Sequence, residues 1–247
     1  MISITYVNMI SQEIEIPRVV PVMTLSQTVL FPQAMMPLFI FEPRYREMLS
    51  TVLEEDRIFA VAALDEQDDN AEVLEKPYSI AGVGVVRACK QNPDGTSNLI
   101  LQGLARVRLE NFVCEEPYRR ARIQQVVSES DGSEEKLGSI QPTLLALVQI
   151  QMRLGAEIPQ EVLQFLSNIK EPESVLDLAI YTLCPSGRFK QELLETRGIL
   201  ARFDKFERFL RSQVERMKLD RKLKGGLNED GICLLYTSPS PRDSLSS

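Results

Sequence analysis

The chain of 247 residues contains no histidine and no tryptophan. Without histidine, these residues cannot assemble a Ser-His-Asp or Cys-His nucleophilic site. The commonest ligand of zinc, copper and non-haem iron is missing with it. The cysteines, Cys89, Cys114, Cys184 and Cys233, form no C-x-x-C pair. Sparse and widely spaced, they read as reduced, buried thiols and point to a cytoplasmic setting. Gly82-Val83-Gly84 begins a dinucleotide-like pattern, but Arg87 stands where the third glycine belongs. The run also continues along a strand, so close backbone approach is the expected role of these glycines. The acidic run Asp65, Glu66, Asp68, Asp69 invites a calcium reading. Counted from Asp65 as an EF-hand loop, it has Asn70 at the glycine position and Lys76 at the glutamate position, and a solvated loop is expected instead. No Gly-Lys pair exists for a Walker A loop, and no G-x-S-x-G elbow occurs. No catalytic residue, metal site or cofactor is therefore expected.

The elements around these residues divide the chain into a β-rich part and a helical part. Short apolar pieces, VVPVMTL, VLFP and MMPLFIF, are punctuated by Pro21, Pro32 and Pro37 and fit edge strands and tight turns. The prolines also argue against a membrane helix, which needs about 20 mostly apolar residues. Tyr45, Met48, Leu49 and Val52 recur at helical spacing after Pro43. Ile58–Leu64 predicts a buried strand. Ser79–Lys90 and Asn98–Leu109 predict a hairpin about the turn Asn92-Pro93-Asp94-Gly95. Phe112–Cys114 and Arg119–Val127 predict two more strands. Beyond the polar loop Ser128–Ser133 the pattern is helical: Leu137–Leu154, with Pro142 as a bend or a true start, then Pro159–Ile169, Glu173–Leu183, Phe189–Thr196 and Ile199–Lys224. The N-terminus, Met1–Ile10, lacks the basic start and apolar run of a signal peptide.

The last helix predicts an apolar stripe of Ile199, Phe203, Phe206, Leu210, Val214 and Met217. Arg202, Arg208, Arg211, Arg216, Lys218, Arg221 and Lys222 form its basic face, expected to be solvated, with contact to anionic lipid or nucleic acid as the other reading. The net charge is −7. Residues 1–187 hold 15 basic against 26 acidic side chains, and residues 188–224 hold 12 against 6. That acidic body weighs against nucleic acid as a partner. The aromatic and methionine residues of 19–41 either fill a β core or line an exposed partner surface.

The stretch PVMTLSQTVLFPQAMMPLFIFEPRYREML resembles the start of the N-terminal substrate-recognition domain of Lon proteases. Pro21, Leu25, Val29, Phe31, Pro32, Pro37, Leu38 and Phe39 carry the likeness, and Glu42–Tyr45 resembles the free-standing members. Gly82, Val86, Pro93, Asp94, Gly95, Thr96, Gly103 and Arg106 continue it, and Lys190–Glu195 resembles the family's helical K-Q-E-L-L-E block. The resemblance implies an α+β fold, a PUA-like β pseudo-barrel followed by a helical bundle ending in a long amphipathic helix. The expected divisions are a leader or first strand over 1–16, a β-rich subdomain over 17–128 and a helical subdomain over 134–224. The tail over 225–247 is expected to be disordered and not native, and from Gly231 onward it looks like a translated cloning adaptor. The ATPase and Ser-Lys peptidase parts of full Lon proteases are missing from this chain. What carries over is recognition of unfolded or damaged polypeptides, as an adaptor in protein quality control beside a separate ATP-dependent protease. Phe31, Met35, Met36, Phe41, Arg44 and Tyr45 are the candidate binding residues. RNA binding, known for PUA-like folds elsewhere, is the alternative.

Overall fold

The computed structural model describes residues 14–65 and 76–226, with side chains as far as residue 223. Most of the expected leader, residues 66–70 of the acidic run and the tail from 227 onward lie outside the described residues, and residues 14–16 belong to no regular element. Strands β1 (Val19–Leu25) and β2 (Met35–Ile40) precede helix α1 (Pro43–Glu54). Strands β3 (Ile58–Ala63), β4 (Ile80–Gln91), β5 (Ser97–Cys114) and β6 (Arg120–Val126) follow. The helical part contains α2 (Glu134–Gly138), α3 (Ile140–Arg153), α4 (Gln160–Ser167), α5 (Pro172–Leu183), α6 (Gly187–Glu195) and α7 (Ile199–Gly226).

The strands form a pseudo-barrel. β1 pairs with β3 in parallel and with β6 antiparallel, β3 with β4, and β4 with β5. β5 then pairs with β6, so the ladder returns to its start, while β2 branches off β5 as an edge strand. The parallel step from β1 to β3 needs a crossover, which β2 and α1 supply. β5 serves three partners because it is 18 residues long and changes register between Leu109 and Asn111. Bulges of this kind bend a strand. Phe112–Cys114, expected as a separate strand, is the far end of β5 beyond that irregularity.

Small and β-branched side chains, among them Val20, Val22, Ala60, Val83, Val107 and Ala121, fill the narrow interior. A larger core outside the ring joins both halves: Leu30, Phe31, Met48 and Phe59 share it with Ile140, Leu144, Leu176 and Phe206. Each such side chain contributes about 1.5–3 kcal/mol relative to an exposed one. Leu30 and Phe31 reach this core because their backbone lies directly on β4 and β5. A Cβ at Gly82 would stand 2.1 Å from the Leu30 carbonyl oxygen, and one at Gly103 2.0 Å from that of Phe31. Only glycine admits so close an approach.

Tyr45, Met48, Leu49 and Val52 are the buried residues of α1, which Pro43 opens. The single helix expected over 137–154 is two, broken at Ser139, and Pro142 sits in the first turn of α3, where no intrahelical N–H is required. The polar loop Ser128–Ser133 is pinned to the start of α7. Glu129 and Gly198 form a parallel bridge, the Glu129 N–H donates to the Arg197 carbonyl at 3.0 Å, and Ile199 donates back to Glu129 at 3.1 Å.

Candidate functional site

Every residue of Met35–Phe41 is apolar, and the strand's alternation sorts them. Met36 and Ile40 are buried and Leu38 half-buried, whereas Met35, Phe39 and Phe41 are 49%, 54% and 59% exposed and Pro37 is exposed beside them. The Phe39 and Phe41 rings stack with centroids 6.0 Å apart. Residues opposite one another in an antiparallel ladder share a face, so register extends the strip across the sheet. Phe39 lies opposite Asn98 and that residue opposite Lys90, while Pro37, Ile100 and Ala88 form the next row. Met35 faces Gln102, whose side chain accepts from Arg87 Nε at 2.6 Å. Between these rows lies a shallow cavity of about 380 Å³ that includes Pro37, Phe39, Ala88, Lys90 and Ile100. The site is apolar along β2 and cationic along β4.

The free edge of β2 is guarded. Pro37 has no N–H to offer, and the Tyr181 hydroxyl of α5 donates to the Met35 carbonyl at 3.3 Å. A ligand added as a further strand would find one donor missing and one acceptor occupied. The open surface is the face of the strand, not its edge.

The six candidate binding residues separate into three groups. Met35 and Phe41 are on the strip. Phe31, Met36 and Tyr45 are 0%, 5% and 4% exposed, so their side chains belong to the core and are not presented to a partner. Phe31 is drawn inward by the glycine seats on β4 and β5, and Met36 by strand alternation. Tyr45 turns inward because its hydroxyl bonds to Thr24, accepting from the backbone N–H at 3.1 Å and donating to the carbonyl at 3.2 Å. Arg44 is half-buried, pairs with Glu42 at 3.0 Å and lies 4.6 Å from the centroid of the Tyr45 ring, away from the strip. Phe39 completes the exposed set.

A second constellation lies at the junction of the two halves. Arg202 was expected on the solvated face of the last helix; it is instead fully buried. With Arg106 of β5 it grips Asp177 of α5, the Arg106 contact being 2.6 Å. The same two guanidiniums reach Glu173 at 3.0 and 3.2 Å, Ser128 donates to Glu173, and Arg202 Nε donates to the Thr196 carbonyl at 3.1 Å. Burial pushes the Asp177 carboxyl up against the pull of both arginines, and burial also lowers Arg106. Burial acts to raise Glu173 as well, but the Ser128 hydroxyl and the two guanidiniums outweigh it and hold that carboxyl below its ordinary range. Arg106 Nε and Asp177 Oδ2 have no hydrogen-bond partner among the described residues. Each unsatisfied buried polar atom costs about 1–3 kcal/mol. Buried ion pairs often add little net stability because of the desolvation they require, and this one joins β5, α5 and α7 at the junction. A signal for it was present in the sequence: Arg202 falls on the apolar stripe between Ile199 and Phe206, and Asp177 interrupts the apolar run 175–180.

The remaining cations of α7 are largely engaged. Arg211 meets Glu207 at 2.6 Å, Lys218 meets Glu215 at 2.8 Å, and Arg216 donates to Gln213 at 2.6 Å. No helix among the described residues is long and apolar enough to cross a membrane.

A family model for the ATP-dependent protease La (LON) substrate-binding domain matches residues 19–212. Over 217 residues the chain is 28% identical to the Lon protease of Desulfosudis oleivorans, an alignment covering 87% of this chain and 26% of that protein. For the Lon protease of Dictyoglomus thermophilum the identity is 26% over 221 residues, covering 90% and 28%. The chain thus spans about a quarter of the length of the curated relatives it matches. Among solved structures it superposes with a TM-score of 0.58 on the N-terminal domain of Mycobacterium avium complex Lon protease, at 16% identity, covering 80% of this chain and 98% of that one. The TM-score is 0.56 for the Lon N-terminal domain protein from Xanthomonas campestris, also at 16% identity, covering 76% and 96%. At that identity the two superpositions speak for the fold.

Proposed function

The chain belongs to the family of the ATP-dependent protease La (LON) substrate-binding domain, and from that premise we propose that it is a non-catalytic recognition module for unfolded or damaged polypeptides. The observation that carries this reading is the strip of Met35, Pro37, Phe39 and Phe41, apolar side chains left outside two well-filled cores. A contiguous exposed apolar patch on a folded protein marks a partner surface. An unfolded client offers apolar side chains that a folded one hides. We further propose that the chain acts beside an ATP-dependent protease, as an adaptor in protein quality control, in the cytoplasm. Cys89, Cys114 and Cys184 being free thiols accords with a reducing setting.

The test uses the purified chain and a chemically unfolded model protein, with aggregation followed by light scattering. The chain is expected to delay aggregation. Met35→Asp combined with Phe39→Asp should abolish the delay while leaving the melting temperature unchanged. An unaltered delay in that variant, or none with the parent chain, would defeat the reading.

A further inference from the structure

We propose that the strip selects extended polypeptide segments in which apolar side chains alternate with carboxylates, a preference that rests on the recognition role above and adds a charge rule to it. The two sides of the trough differ in chemistry. β2 contributes Met35, Pro37 and Phe39, and β4 contributes Arg87 and Lys90, both exposed, with Ile100 and Ala88 between them. A third cation, Lys190, lies 5.1 Å from the centroid of the Tyr181 ring, whose hydroxyl holds the Met35 carbonyl. None of these three cations has a carboxylate within ion-pairing distance among the described residues. Of the acidic groups near the ends of the strip, Glu42 is ion-paired with Arg44 at 3.0 Å, and Asp94 is held in the hairpin turn by the Thr96 hydroxyl at 2.7 Å. The chain has 35 acidic against 28 basic side chains, so unpaired cations beside its apolar strip stand out against the general charge.

An extended ligand projects successive side chains to opposite sides. Laid along the trough, it sets one series against Met35 and Phe39 and the other against Arg87 and Lys90. Carboxylates in the second series meet unpaired cations; lysines there meet repulsion.

Short synthetic peptides alternating leucine with glutamate, lysine or serine provide the test, with binding to the full chain measured by fluorescence anisotropy. The glutamate peptide should bind about tenfold more tightly than the lysine peptide at low salt, and the gap should close at about 0.5 M salt, as for exposed ion pairs. Arg87→Glu with Lys90→Glu should reverse the order. Arg87→Gln with Lys90→Gln should equalise the two peptides and serves if the reversed variant does not fold. Equal binding of both peptides to the parent chain, lost in Phe39→Ser, would overturn the charge rule and leave the recognition role standing. Binding that Phe39→Ser does not weaken for any of the peptides would overturn both.

Discussion

Met36 is 5% exposed and its neighbour Met35 49% exposed, so the same substitution at the two positions should separate folding from recognition. An aspartate at position 36 places a carboxylate among apolar side chains without a partner and should cost more than about 4 kcal/mol. Met35→Asp should change stability by no more than about 0.5 kcal/mol, as for other exposed positions, and should still weaken client binding. Urea unfolding of the two variants checks the first statement, and the aggregation assay checks the second. The sequence could not assign these sides, because MMPLFIF is apolar at every position and its binary pattern has no polar phase. Phe31 escaped for a different reason, because its burial depends on long-range partners, the backbone seats at Gly82 and Gly103. The burial of Tyr45 was legible in the helical spacing it shares with Met48, Leu49 and Val52, and only its bonds to Thr24 were not. Arg202 and Asp177 were more legible, since each interrupts an apolar helical stripe with a charge of opposite sign.

At the scale of elements, β2 carries the recognition face and an edge that must not recruit a strand. Pro37 cannot donate to β5 or to a newcomer, and Tyr181 covers the Met35 carbonyl. Pro37→Val keeps the position apolar but returns an N–H to the free edge of β2, the side on which the Met35 carbonyl meets Tyr181. Exposed, flat, apolar edges of this kind template association. The variant should keep its fold by circular dichroism and self-associate at concentrations where the parent chain is monodisperse, as sedimentation velocity would report. An unchanged sedimentation profile would mean that Tyr181 alone suffices as the guard. Most elements were readable from period and punctuation: α1 from its buried i, i+3, i+4, i+7 set after Pro43, and the β4–β5 hairpin from its Asn92–Gly95 turn. The misreadings fall where a local pattern is interrupted but the element or its neighbour continues. β5 passes through its register shift to Cys114, and the helix breaks at Ser139, whose hydroxyl donates back to the Lys136 carbonyl at 2.7 Å, in a sequence whose apolar spacing runs on.

Across the whole molecule the two halves are held together at the start of α7, and this junction should respond to acid. Gly198, immediately before α7, has no side chain to cap the helix, and Asp131 from the inter-half segment takes that place. Its carboxylate accepts from the Leu200 N–H at 2.7 Å and from the Ala201 N–H at 3.0 Å. A Cβ on residue 198 would stand 2.3 Å from that carboxylate, so the missing side chain is what admits it. Although slight burial acts to raise the Asp131 carboxyl, those two N–H groups hold it below its ordinary range. Its folded pKa is therefore lower than its unfolded one, near about 4. The stabilisation is fully present above that unfolded value and is lost as pH falls through the folded one. Asp131→Ala should cost about 1 kcal/mol at neutral pH, the usual value of a helix cap. The difference from the parent chain should hold from about pH 8 to about pH 5 and shrink below about pH 4. The net shift has the opposite sign at Asp177, where burial outweighs the two arginines and the raised carboxyl makes the folded state a better proton acceptor, so the pH profile of the parent chain mixes both. The parent-minus-variant difference in urea unfolding isolates Asp131. A gap that stayed constant down to about pH 3 would show that the segment is fixed by the Glu129–Gly198 bridge and by packing rather than by the charged cap.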